Sequence, residues 1–170
     1  NIPYVVFDKI EENPSVESVI AGAQFGTSEN VDFVIGIGGG SPLDASKAIA
    51  LLIANGKFDK DFLYTSVPNA PHLPVAAVPT TCGTGSEVTG VSVLTLHSSH
   101  TKKSISHQIF PEIAFVDSKY LKDAPNQIIT STALDALAHL CESFLHAKAD
   151  VKSRKAVEKG LTIWGEAKND

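Results

Sequence analysis

Gly36-Ile37-Gly38-Gly39-Gly40-Ser41-Pro42-Leu43-Asp44-Ala45-Ser46-Lys47 decides how this chain is read. Just upstream, Val31, Phe33, Val34 and Ile35 form an apolar run too short for a helix, which reads as a buried strand. Downstream, Leu43 to Ala54 is rich in Ala, Leu and Ile without a breaker and reads as a helix packed on a sheet. Three consecutive glycines therefore stand at a strand-to-helix turn. Glycine loses more backbone entropy on folding than any other residue. A run of three is explained when something must come close to the backbone. A phosphate does so at a helix N-terminus, where bare N–H groups and the positive end of the dipole face the anion. Ser41 and Asp44 have capping-box spacing, so the Ser41 hydroxyl either caps the helix or meets the phosphate. The competing reading is a tight strand-to-helix turn with a good cap. The stretch also departs from the usual dinucleotide fingerprint, because Ser41 occupies the third glycine position. Asp59 and Asp61, roughly where a ribose-binding acid belongs, fall in a polar loop and read as solvated.

The 170 residues suffice for one domain with a sizeable core, or one domain and part of another. A hydrophobic fraction of 43% and a charged fraction of 19% are those of an ordinary globular protein. A net charge of −5 argues against nucleic acid as the main partner. No run of 18 apolar residues and no signal-peptide pattern occurs, so no membrane partner and a cytoplasmic location are expected. Cys82 and Cys141 lack zinc or redox spacing. The chain begins at Asn1, contains no Met, and opens as if already inside a fold. A segment of a longer protein is therefore expected.

Along the chain, Tyr4 to Phe7 is expected as a strand, and Asn13 as the cap of a helix with Pro14 at its first position, running to about Phe25. Residues 55–74 read as loop with a short helix near Asp59–Tyr64. Val75 to Val78, Val91 to Leu96 and Ile113 to Asp117 read as strands. Thr130 to His146 and Val151 to Trp164 read as helices with no further strand. The alternation predicts an α/β fold: a Rossmann-like parallel sheet with helices on both faces, followed by the start of an all-helical second domain. The boundary is placed at Pro125, giving an α/β nucleotide-binding unit over 1–124 and a helical unit over 125–170.

Pro79-Thr80-Thr81-Cys82-Gly83-Thr84-Gly85-Ser86-Glu87-Val88-Thr89 lies just past the carboxyl end of a strand, where open α/β sheets bind ligands. Its small hydroxyl and glycine residues suit a nucleotide, and two such loops after successive strands should sit side by side. Cys82 reads as a small packing residue rather than a nucleophile. His97, His100 and His107 lie in a polar hairpin-like stretch without regular metal-ligand spacing. Lys103 in that stretch is either a solvated lysine or a contact to phosphate or ribose. Asp135 and His139, four apart on a helix, share one face. They can grip a divalent metal or pair with each other. Glu142 and His146 lie nearby, but a complete ligand set is absent.

Three separated stretches, GGGSPLDASKA at 38–48, PTTCGTGSEVT at 79–89 and DALAHLCES at 135–143, resemble the iron-containing (group III, metal-dependent) alcohol dehydrogenase family. AFVD at 114–117 and Pro125 fit its order, and the resemblance covers the central portion of such a chain. It implies hydride transfer between an alcohol or aldehyde and NAD or NADP, with a divalent metal, Fe²⁺ in first place and Zn²⁺ as alternative, polarising the alcohol oxygen. By this resemblance Gly38, Gly39, Gly40 and Ser41 hold the pyrophosphate, and Thr80, Thr81 and Thr84 line the nucleotide. Lys103 matches a lysine that contacts the ribose. Asp135 and His139 match the first two of four metal ligands, the other two being histidines that would lie beyond Asp170. A homodimer is compatible with the family. The alternatives are a truncated, non-catalytic nucleotide-binding fragment and a glycerol-dehydrogenase-like relative.

Overall fold

The structure, a computed structural model, describes residues 2–167. Its first helix, α1 (Val16–Ser28), is capped by Ser15, whose Oγ accepts the Ser18 N–H at 3.1 Å. Asn13 does not cap it. Asn13 instead turns the chain at φ 58°, a left-handed conformation that Asn tolerates better than most residues. The Ser15 N–H, two residues on, is taken by Glu11 Oε1 at 2.8 Å.

The apolar run and the glycine stretch become β1 (Val34–Gly38) and α2 (Gly40–Asn55). β1 pairs in parallel with β2 (Val75–Pro79) over five residue pairs, from Val34 opposite Val75 to Gly38 opposite Pro79. On the far side of β2 lies β5 (Ile113–Ala114), again parallel, giving the order β1-β2-β5. Parallel neighbours need a crossover. α2, together with the short α3 (Lys60–Tyr64, capped by Asp59), supplies the one between β1 and β2. The expected fifth strand is shorter than Ile113–Asp117, although the Phe115 N–H still reaches the Ala77 carbonyl at 2.8 Å.

α2 is the pillar of the core. Leu43 and every residue from Ala45 to Leu52 are buried between the sheet, α1 and a hairpin. That hairpin is β3 (Val93–Leu96) paired antiparallel with β4 (Thr101–Ser104), turning through His97–Ser99 and a left-handed His100. Its histidines therefore serve a turn rather than a ligand set, and His107 is buried with its Nε2 at 3.0 Å from the Phe62 carbonyl. Val16, Val19 and Ala23 of α1 complete this core with Leu63, Val75 and Leu94. Each fully buried leucine contributes about 1.5–3 kcal/mol over leaving it in water.

Tyr4 to Phe7 is not a strand. Tyr4, Val5 and Val6 are exposed, Phe7 rests on Phe25 of α1, and no ladder partner occurs among the described residues; unpaired backbone does not make a strand. The face of β1 opposite α2, carrying Ile35 and Ile37, is likewise exposed.

After Pro125 come α4 (Asn126–Leu145) and α5 (Val151–Ala167), a pair of packed helices. Trp164 Nε1 donates to the Ala133 carbonyl at 2.9 Å, and Gly160 leaves room for Leu140. Asp150 and Ser153 cap α5 reciprocally, the Ser153 N–H giving to Asp150 Oδ1 at 2.7 Å and the Asp150 N–H to Ser153 Oγ at 2.9 Å. α4 lacks an unbroken apolar run, yet its mean hydropathy reaches 1.2, so by length and composition alone it could cross a bilayer. Asp135 and Glu142 interrupt it.

Candidate functional site

β1 and β2 deliver the two small-residue loops to the same end of the sheet, and the loops touch as the sequence leads one to expect. The Thr80 N–H donates to the Gly38 carbonyl at 2.9 Å, prolonging the ladder by one bond past the end of β2. Gly38 adopts φ 139°, a conformation that side chains rarely take, and this lets the chain swing from strand into helix. A Cβ on Gly39 would meet the Thr81 methyl at 3.2 Å, and one on Gly40 would meet the Thr84 methyl at 2.7 Å. The reason for the second and third glycines is thus partly internal: the neighbouring threonines occupy the space.

The N-cap of α2 is Gly39, not Ser41, and no side chain caps the first turn. Ser41 lies within the helix, and its Oγ accepts the Asn13 N–H at 3.0 Å. The helix opening therefore presents backbone N–H groups and the positive end of a 16-residue helix beside threonine hydroxyls. Such an opening has the donors a phosphate needs; Gly38, Gly39 and Gly40 abut Thr80, Thr81 and Thr84 there, while the Ser41 hydroxyl is engaged by Asn13. Lys103 stands apart from this opening. It lies on β4, opposite Leu94, with its ammonium 4.8 Å from the centre of the Tyr64 ring.

Asp44 does not close a capping box either. Its carboxylate turns outward to the second loop, accepting the Ser86 hydroxyl at 2.5 Å on Oδ1 and the Val93 N–H at 2.8 Å on Oδ2. One turn on, Lys47 is fully buried. Its Nζ donates to Ser86 Oγ and to the Val91 carbonyl, both at 2.7 Å, and stands 3.5 Å from Asp44 Oδ1. Burial pulls the Lys47 pKa below its ordinary value, while Asp44 and Glu87 push the other way. Lys47 carries no role in the sequence pattern, and Asp44 stands there only as a capping partner of Ser41. The available signal was a lone charge inside the apolar run from Ala45 to Leu52.

The second loop also meets α4. A Cβ on Gly83 would lie 2.5 Å from the Thr132 carbonyl oxygen, and Cys82 Sγ is 3.3 Å from Thr132 Oγ1. Cys82 accordingly packs against a helix. Thr132 lies one turn before Asp135, and Asp135 Oδ1 stands 3.8 Å from His139 Nε2 with both side chains about half exposed. Two such donors on one face fit part of a divalent-metal shell. No group of three metal-ligating side chains occurs among the described residues. His139, Glu142 and His146 line a shallow cavity of about 390 Å³ beside the start of α5.

Residues 1–118 match the family model of iron-containing alcohol dehydrogenases. The mitochondrial hydroxyacid-oxoacid transhydrogenase of Caenorhabditis elegans is 35% identical over 168 residues, covering 95% of this chain and 36% of that protein. The crystal structure of an iron-containing alcohol dehydrogenase from Thermotoga maritima superposes with a TM-score of 0.89 at 37% identity, covering 96% of this chain and 45% of that one. Sulfoacetaldehyde reductase from Bifidobacterium kashiwanohense, solved in complex with NAD+, superposes with a TM-score of 0.74 at 38% identity over 83% of this chain and 38% of that one. The chain spans less than half the length of the curated relatives it matches.

Proposed function

The chain belongs to the iron-containing alcohol dehydrogenase family, and from that premise we propose that it is the central part of a metal-dependent, NAD(P)-linked oxidoreductase. The whole protein would transfer hydride between a small alcohol or aldehyde and the nicotinamide. One observation carries the reading. The glycine loop and the threonine loop abut at one end of adjacent parallel strands, and the threonine loop rests on the helix bearing Asp135 and His139. Cofactor cradle and metal-ligating face are therefore built around the same loop.

In this reading residues 1–124 bind the nucleotide and 125–170 begin the metal-binding unit. Gly38, Gly39, Gly40 and Ser41 hold the pyrophosphate through backbone N–H groups. Thr80, Thr81 and Thr84 line the nucleotide and orient it. Lys103 takes the ribose once its flexible stem swings off the Tyr64 ring. Asp135 and His139 contribute two ligands to Fe²⁺, with Zn²⁺ as the alternative, since carboxylate and imidazole accept both. When bound, these groups supply Lewis-acid polarisation of the substrate oxygen and a hydride acceptor. The protein's own share is to bind, orient and hold both at a fixed separation through the contact of Gly83 with Thr132. A cytoplasmic enzyme acting on small molecules, compatible with a homodimer and independent of nucleic acid or membrane, completes the proposal.

The test is Asp135→Ala and His139→Ala in the intact enzyme. Both variants should lose bound divalent metal by elemental analysis and lose nearly all alcohol-dependent NAD(P) reduction. Full metal occupancy in both would overturn the assignment.

A further inference from the structure

Two anchors are needed to hold a loop in a fixed place, and the threonine loop has one at each end. At its start the Thr80 N–H is bonded to Gly38. Its other end is gripped by polar groups of α2 inside the core. Lys47 Nζ holds Ser86 and Val91, the Asp44 carboxylate holds Ser86 and Val93, and the Asp44 carbonyl accepts the Ser92 hydroxyl at 2.7 Å. Lys47 and Ser92 are fully buried, and Ser86 is nearly so. A buried ion pair is weak evidence for stability, because desolvation offsets the attraction. Well-packed hydrophobic residues in place of such a pair are often neutral or stabilising. What a hydrogen-bonded ammonium does supply is direction, because its donors must meet two acceptors at set distances.

Those acceptors lie just beyond Thr81 and Thr84, the residues that rest on Gly39 and Gly40. We propose that Lys47, with Asp44, is a positioning residue that sets the spacing between the two loops and thereby preforms the cofactor cradle. Lys47 itself is sealed from solvent, so it acts through Ser86 and Val91 rather than on the nucleotide. The same grip reaches the hairpin that carries Lys103, because Val93 begins β3.

The inference rests on the nucleotide-binding reading above, and its test separates the two. Lys47→Met keeps the stem and removes the ammonium. Ser86→Ala is the milder variant, should Lys47→Met fail to fold. NADH affinity is followed by fluorescence, and amide hydrogen exchange is followed along 80–93 and in α1. Losing hydrogen bonds to a charged group should weaken NADH binding by at least about tenfold. Exchange over 84–93 should accelerate by a similar factor while α1 keeps its protection. The variant Asp44→Asn with Lys47→Met removes both charges; it should recover melting temperature without recovering affinity. NADH affinity within about twofold of wild type in the folded variants would overturn the proposal. If wild-type protein binds no NADH, the nucleotide reading fails on its own. Exchange over 84–93 then decides the positioning role, and unchanged rates in Lys47→Met would overturn it.

Discussion

Replacing Gly83 by Ala should pry the threonine loop from α4. The new Cβ would sit 2.5 Å from the Thr132 carbonyl oxygen and 2.9 Å from Thr132 Cβ, where ordinary contact begins at 3.4 Å. Something must give by about 0.9 Å. The obstacle is helix backbone rather than a side-chain tip, so no rotamer change relieves it. Overpacking of this kind costs about 1–3 kcal/mol. For a chain of this size that corresponds to a fall in melting temperature of roughly 2–12 °C. The displaced turn of α4 leads directly to Asp135 and His139, and misplacement near 1 Å can cost about 10²-fold in rate. Trp164 is the sole tryptophan and donates to Ala133, next to Thr132, so its emission reports on this contact. Gly83→Ala should shift that emission, lower the melting temperature and, in the intact enzyme, depress turnover. Unchanged emission with a melting temperature within about 1 °C of wild type would refute the packing argument.

Three further outcomes are expected. Gly165→Ala in α5, where a Cβ meets nothing within 4 Å, should stabilise the protein by about 0.5–1 kcal/mol, read as a raised melting temperature. Asn13→Ala places a Cβ-bearing residue without a polar side chain at φ 58° and frees Lys102, whose Nζ lies 2.7 Å from Asn13 Oδ1. It should cost about 1–2 kcal/mol in denaturant titrations, and Asn13→Gly should cost less. Burial alone would raise the Glu11 pKa, but hydrogen bonds, led by the Ser15 side chain with the Glu11 and Ser15 backbone and Ser18 adding to it, outweigh burial and hold the carboxyl below its ordinary value. Its contribution is present above the unfolded value and is lost as pH falls through the folded one. The melting temperature should therefore drop below about pH 4.5, and Glu11→Gln should flatten that slope.

Much of the fold was legible because it is written in local patterns. Short apolar runs closed by glycine or proline became β1 and β2, and the breaker-free stretch after the glycines became α2. The adjacency of the two loops followed from topology, since ligand-binding loops gather at the carboxyl ends of parallel strands. What the sequence hid was tertiary. Ser41 and Asp44 carry a capping pattern, yet their side chains turn to Asn13 and to Ser86, 28 and 42 residues away. Tyr4 to Phe7 has strand-like residues, but among the described residues no neighbouring strand bonds to it. The glycine run suggested room for a ligand, whereas part of that room belongs to Thr81 and Thr84. Lys47 looks like an ordinary helix lysine until the second loop closes over it.

The central claim is that the two loops together form one nucleotide cradle. The most direct measurement is a map of backbone amide chemical shifts during titration with NAD+. The account predicts that the largest changes fall on Gly38, Gly39, Gly40 and Ser41 and on Thr80, Thr81 and Thr84, moving together along one binding curve. Changes confined to other residues, or none at saturating NAD+, would contradict it.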